Sequence, residues 1–196
     1  WQRFALLGHS MGAIITGIIA GSVPERITAA AMIDGLLPFT SEAEDAPRNM
    51  ARFFEASLAA GEKRKPVYDS VEKAVSARVL GGTTPISRDA ASLLVERGLM
   101  PAHGGWTWRT DPQLMLPSPL RFTNSHAAAF IEAIRSPACL ILANQGVMHR
   151  HPHVLEQIVR FEHIQQHRLE GGHHLHLEQA APEVATILDS FYRALA

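Results

Sequence analysis

Short apolar runs and helix-like spacing alternate over the first 35 positions. Phe4–Leu7 is apolar and ends at a glycine, as expected of a buried strand. Residues 11–21 are small and apolar throughout and end in glycine, which predicts a tightly packed helix. Ile27–Ile33 is a second apolar run, closed by the turn signal Asp34-Gly35. This order of strand, helix and strand is typical of a parallel sheet with crossover helices.

The pattern changes between about residue 36 and residue 124. Helical apolar spacing recurs three times, over residues 42–60, 67–80 and 87–99. Ser87 is a good N-cap for the last of these helices. Residues 104–109 alternate between glycine, tryptophan and polar positions, which predicts a short extended piece. We interpret this segment as a mainly helical insertion.

The α/β pattern then returns. The predicted elements are a helix over 126–134, a strand over 138–143, a helix over 153–161, a strand over 164–169 and a helix over 182–195. The predicted fold class is therefore α/β, with a mainly parallel sheet flanked by helices. Residues 1–35 and 125–196 form the core, and residues 36–124 form a helical cap.

Charge and cysteine content restrict the function. Eighteen basic and 19 acidic side chains give a net charge of -1, so no nucleic-acid partner is expected. The single cysteine, Cys139, excludes a disulfide framework and predicts a reducing, cytoplasmic location. No apolar run reaches membrane-spanning length, and the first residues do not form a signal peptide.

A candidate nucleophile lies at Ser10. Gly8-His9-Ser10-Met11-Gly12 is a G-x-S-x-G pattern between a predicted strand and a predicted helix. A sharp turn there crowds the backbone, so we expect the residues two before and two after Ser10 to be small. Such a turn holds the Ser10 hydroxyl clear of the sheet and points the Met11 N–H at an oxyanion.

A serine hydroxyl is a poor nucleophile at neutral pH and needs a base. Gly171 and Gly172 follow the last predicted strand and allow the chain to turn, which presents His173 at the edge of the sheet. The run from Gly172 to Glu178, Gly-His-x-x-His-Leu-Glu, is the specific part of this signal.

These motifs resemble the α/β-hydrolase superfamily, and within it the serine hydrolase-like group. The resemblance is carried by residues 6–12, 32–34, 137–142 and 172–177. It implies that Ser10 is the nucleophile, His173 the catalytic base and the Met11 amide an oxyanion donor. The chain resembles the C-terminal two-thirds of such a protein. The family's strands before the nucleophile, and the second oxyanion donor that they carry, are not seen.

The orienting acid is less directly indicated. Many relatives have it after the strand that here is 138–143, but residues 144–150 contain no Asp or Glu. Asp34 ends the strand that follows the nucleophile helix, where some members of the superfamily have their acid. Neighbouring strand ends lie side by side, so Asp34 can reach His173. Two alternatives stay open: Asn144 orients the base, or the role is unfilled and Asp34 is only a turn residue.

Further histidines raise a metal-binding alternative. They lie at positions 149, 151, 153, 173, 174 and 176. The first three alternate through Pro152 in a predicted loop, which does not suit a tetrahedral zinc site, so we favour solvated polar residues and expect no metal. The residues expected to line a substrate pocket are His9, Leu36, Leu37, Phe39 and Val147.

The function expected from these residues is that of a serine hydrolase. It would cleave a small-molecule ester or thioester through a Ser10–His173–Asp34 triad and an acyl-enzyme, without a cofactor. The alternative is a truncated, catalytically impaired or non-catalytic module of the same fold. In that case the strand at Phe4–Leu7 lacks a neighbour, and its edge favours self-association.

Overall fold

Two units make up the chain in this computed structural model, which describes residues 1–62 and 64–195. The first unit combines Trp1–Pro38 with Asn124–Ala196, and the second is Phe39–Thr123. Their boundaries lie close to those predicted for a core and a cap. That the second unit acts as a cap stays a prediction.

The secondary structure follows the predicted order. The strands are β1 (Phe4–His9), β2 (Ile27–Ile33), β3 (Leu99–Ala102), β4 (Gly105–Trp108), β5 (Ala138–Gln145) and β6 (Ile164–Gly172). The helices are α1 (Met11–Ser22), α2 (Ala46–Glu62), α3 (Val71–Gly81), α4 (Arg88–Gly98), α5 (Asn124–Glu132), α6 (Pro152–Val159) and α7 (Ala181–Arg193).

A four-stranded parallel sheet forms the centre of the first unit, in the order β1-β2-β5-β6. Because all four strands run the same way, their carboxyl ends meet at one edge of the sheet. Ser10 follows β1, Asp34 follows β2 and His173 follows β6, so three strand ends place these residues at the same edge.

Apolar side chains cover both faces of the central strands β2 and β5, which explains why these are continuous apolar runs. The strand at Phe4–Leu7, which the sequence predicts to be buried, is only half-buried, because it lies at the edge of this sheet and Leu7 is exposed. On one face, alternate residues such as Met32 and Leu140 pack with α1, α5 and α6. On the other, Ile33 and Ile141 pack with α7. The predicted fold class, α/β with a mainly parallel sheet flanked by helices, is confirmed.

The second unit is mainly helical, and it corrects the boundaries of all three predicted helices. The helix expected over 42–60 is α2, which begins only at Ala46 because Ala43–Asp45 form a 3-10 turn. The helix expected over 67–80 begins only at Val71, because Tyr68 pairs with Trp106 as an isolated bridge and Ser70 caps the helix. The helix expected over 87–99 ends one residue early, because Leu99 begins β3, which the sequence pattern did not reveal. Its predicted N-cap is confirmed, since Ser87 accepts a hydrogen bond from the Ala90 amide. The short extended piece predicted over 104–109 is β4, which pairs with β3.

Among the described residues, none of the helices combines the length and the apolar character that crossing a bilayer requires.

Candidate active site

A strained turn holds Ser10 between β1 and α1. Its φ of 56° and ψ of -121° lie outside the regions that residues other than glycine favour. The turn is fixed on both sides: the Ser10 amide donates to the Ile33 carbonyl at 2.9 Å, and the Ser10 carbonyl accepts from the Ala13 and Ile14 amides. The surrounding backbone therefore maintains the strain, as in a nucleophile elbow.

Only one of the two flanking glycines is required by space. A Cβ on Gly8 would overlap the backbone of Gly12 and Ala13, so no larger residue fits there. A Cβ on Gly12 would meet no described atom within 4 Å. The expectation that position 12 must also be small is therefore wrong, because that position points into open space rather than at the turn.

His173 lies between the other two predicted triad residues. Its Nε2 is 2.8 Å from Ser10 Oγ, and its Nδ1 is 2.6 Å from Asp34 Oδ2. A carboxylate can only accept, so the proton of the neutral ring belongs on Nδ1, and Nε2 accepts from the serine hydroxyl. This tautomer leaves Nε2 ready to take the hydroxyl proton.

Asp34 is fully buried at the end of β2, with a φ of 45°. Besides the His173 ring, it accepts the Ala143 amide on Oδ1 and the Val147 amide on Oδ2, both at 3.1 Å. A buried carboxylate is costly unless donors replace its water, and these N–H groups do so. The close approach also requires Gly146, since a Cβ there would overlap the Asp34 carboxylate.

Asn144, the alternative orienter, has a different partner. Its Nδ2 donates to Glu170 Oε1 at 2.5 Å. The structure thus brings Asp34, rather than Asn144, into hydrogen-bond contact with the His173 ring.

The His173 ring belongs to a cluster of four imidazoles, in which His9 contacts the other three. The ring of His9 lies 4.6 Å from that of His173, 5.4 Å from that of His174 and 4.1 Å from that of His176, between centroids. Burial lowers the pKa of His9. Burial, together with the nearby His9 and His173, lowers the pKa of His176 to about 4. His9 and His176 are therefore neutral at pH 7.

The backbone amide of Met11 begins helix α1. A first-turn N–H has no partner within its helix and lies at the positive end of the helix dipole. Such a group suits an anionic oxygen, and its position next to Ser10 agrees with the predicted oxyanion role, which stays a prediction.

The predicted pocket residues are found in different surroundings. Leu36 and Leu37 are buried in the core cluster, and Phe39 belongs to the second unit. Val147 uses its amide to bind Asp34, and His9 contacts the candidate base. A role in lining a substrate pocket stays a prediction for all five.

The arrangement of the metal-ligating residue types bears on the metal alternative. Within the ranges that the structure describes, no group of three or more His, Cys, Asp or Glu side chains is arranged to hold a metal ion. Cys139 is buried in the middle of β5.

Sequence reasoning missed Ala143 and Gly146 as parts of the site. Ala143 acts through its backbone, so its side chain carries no signal. Gly146 did carry a signal in the sequence. It lies in the loop after a strand end where the expected acid is missing, and a glycine there indicates that another group approaches closely.

Known proteins support the assignment of class. No family model matches the chain. The solved structure of the hypothetical protein PA1622 from Pseudomonas aeruginosa PAO1 is 48% identical, with a TM-score of 0.91 over 98% of this chain and 68% of that one. The thioesterase domain from the curacin biosynthetic pathway is 24% identical, with a TM-score of 0.69 over 95% of this chain and 66% of that one.

Among curated proteins, the serine hydrolase-like protein of Danio rerio is 26% identical over 153 residues, which are 75% of this chain and 46% of that protein. The chain spans about half the length of the curated relatives it matches. The chain belongs to the α/β-hydrolase superfamily. Within that superfamily it is similar to serine hydrolase-like proteins from animals and Dictyostelium.

Proposed function

We propose that this protein is a serine hydrolase that cleaves a small-molecule carboxylic ester or thioester. The observation that carries the proposal is the continuous hydrogen-bonded chain from Ser10 Oγ through the His173 ring to the buried Asp34 carboxylate. A nucleophile, a base and an orienting acid in this geometry are the requirements for acyl transfer to serine.

The first half-reaction forms an acyl-enzyme. Ser10 Oγ attacks the carbonyl carbon while its proton moves to His173 Nε2, and Asp34 stabilises the resulting imidazolium. The Met11 amide donates to the developing oxyanion. The bond to the leaving group then breaks, and His173 returns the proton to the departing oxygen or sulfur.

The second half-reaction releases the acid. His173 takes a proton from water, the hydroxide attacks the acyl carbon, and the ester bond to Ser10 breaks as His173 reprotonates Oγ. Each proton lost is returned, so the enzyme ends unchanged. All of these steps use residues of this chain, and none needs a cofactor.

Leaving-group chemistry favours esters and thioesters over amides. Alkoxides and thiolates depart from a tetrahedral intermediate more readily than amide anions, which must be protonated to leave as amines, so esters and thioesters make smaller demands on His173 as an acid. An esterase and a thioesterase domain are among the structural neighbours, which is compatible with an ester or thioester substrate. At their low sequence identity, these neighbours support the fold alone. Small-molecule substrates, rather than nucleic acid, suit a net charge of -1.

The test compares the rate of substrate turnover by the wild-type protein, as its host produces it, with the rate of its Ser10→Ala variant. The substrates are p-nitrophenyl esters of increasing acyl length, an acyl thioester and a p-nitroanilide. We expect ester and thioester turnover that Ser10→Ala reduces to background, with the anilide far slower. A folded protein without Ser10-dependent turnover would instead favour the non-catalytic module, and its association state would then be measured.

A further inference from the structure

We propose that His9 is a positioning residue that ties the histidine-bearing loop to the nucleophile turn. The geometry points to this role because His9 Nε2 lies 2.8 Å from the backbone carbonyl oxygen of His173. The catalytic consequence rests on the proposed function, whereas the structural link does not.

The direction of this hydrogen bond follows from its acceptor. A carbonyl oxygen only accepts, so the His9 proton is on Nε2 and Nε2–H donates to the His173 carbonyl. His9 immediately precedes Ser10 in the chain. The His9 side chain therefore connects the nucleophile turn to the backbone of His173, which is 164 positions away in the sequence.

The surroundings of His9 keep the ring in this neutral form. The titratable groups that face it are His173, His174, His176 and Asp34. Burial disfavours a charged imidazolium and lowers the pKa of His9, and this effect outweighs the hydrogen bond to the His173 carbonyl, which favours the charged ring. The His176 ring packs against the His9 ring, with 4.1 Å between their centroids.

The loop that follows β6 is held in place at several points. Residues 172–177 turn back on themselves through two backbone hydrogen bonds, from Leu175 to Gly172 and from Leu177 to His174. The fully buried Leu175 side chain fixes the middle of the loop in the core. The bond from His9 fixes the His173 backbone itself, and thus the distance between His173 Nε2 and Ser10 Oγ.

Two substitutions at one position separate this role from simple packing. His9→Leu keeps much of the volume but removes the donor, while His9→Gln retains a side-chain N–H that can reach the same carbonyl. The matched control is His163→Leu. His163 Nε2 also contacts a backbone carbonyl, that of Ile131, at 3.0 Å, but it lies at the opposite edge of the sheet.

The first readout is the second-order rate constant for fluorophosphonate labelling of Ser10. We expect His9→Leu to slow labelling roughly 10- to 100-fold, the size of effect produced when a supporting hydrogen bond or about 1 Å of alignment is lost. His9→Gln should recover most of the rate, and His163→Leu should label like wild type. Wild-type labelling by His9→Leu, or equal slowing by Leu and Gln, would overturn the proposal.

The second readout needs no activity. Amide hydrogen exchange of peptides covering residues 172–177 should be faster in His9→Leu than in wild type or His9→Gln, with little change elsewhere. Unchanged exchange would refute the link. If wild type does not label but His9→Leu accelerates exchange, the proposed hydrolase function fails while the His9–His173 link stands.

Discussion

The Asp34 carboxylate lies 2.6 Å from His173 Nδ1, although the two residues are 139 positions apart in sequence. Asp34 comes from the end of β2. The end of β5 and its following loop, where many relatives have the acid, instead donate the Ala143 and Val147 amides to Asp34. The acid and its supporting amides thus come from neighbouring strand ends.

Replacing this acid should impair catalysis far more than folding. Asp34→Asn preserves size, but its amide cannot accept from both the ring and the two backbone donors, and it favours the wrong tautomer of His173. We expect kcat for a p-nitrophenyl ester to fall on the order of 10⁴-fold at pH 7. The control is Asp189→Asn, which removes an exposed pair with Arg193 on α7. An Asp34→Asn enzyme with near wild-type kcat would show that another group orients the base.

The glycine that approaches Asp34 offers a second test. Gly146→Ala places a methyl group where the Asp34 carboxylate lies, so Asp34 must move away from His173. We expect a loss of kcat together with a lower melting temperature. Gly12→Ala is the matched substitution, because its new methyl group meets no described atom. It lies within α1, where alanine is favoured, and should leave the melting temperature unchanged or slightly higher.

The half-buried His176 predicts how stability depends on pH. Its pKa is about 4 in the folded protein and near 6.5 when unfolded, so between these values the unfolded state binds more protons. The free energy of unfolding is thus fully retained above about pH 6.5 and declines as the pH falls toward 4.

We expect this histidine to account for on the order of 1–2 kcal/mol of that decline, allowing for its partial exposure to solvent. Urea unfolding of wild type and His176→Phe at several pH values between 4 and 7 measures this contribution to the free energy of unfolding. The variant should lose less stability on acidification. Parallel curves for the two proteins would contradict a lowered pKa for His176 in the folded protein.

Cys139 should be chemically silent in the folded protein. Burial in β5 raises the pKa of its thiol to about 11, and the thiolate is the reactive form. We expect no modification by iodoacetamide at pH 8 in buffer and complete modification in denaturant, measured by intact mass. Rapid reaction of the folded protein would show that β5 opens or is less well packed.

The parts of this site that were predictable are those with side-chain signals. Ser10 and His173 lie in local motifs at strand ends. Asp34 was the favoured acid because it ends a neighbouring strand, with Asn144 or an unfilled role as the alternatives. The parallel strands then bring these ends together, which sequence periodicity also indicates.

What the sequence did not reveal depends on contacts between distant backbone segments. The amide of Ala143 and the bond from His9 to the His173 carbonyl exist only once the strands are paired. Strand β3 was missed because Leu99 continues the apolar spacing of the helix before it, and only pairing with Trp108 makes it a strand.

Fluorophosphonate labelling followed by peptide mapping tests most directly whether Ser10 is an activated nucleophile. We predict one adduct per chain, located on Ser10, absent in Ser10→Ala and formed much more slowly in His173→Ala and Asp34→Asn. Failure of the folded wild-type protein to label, or an adduct on any other residue, would contradict the claim that Ser10 is activated by His173 and Asp34.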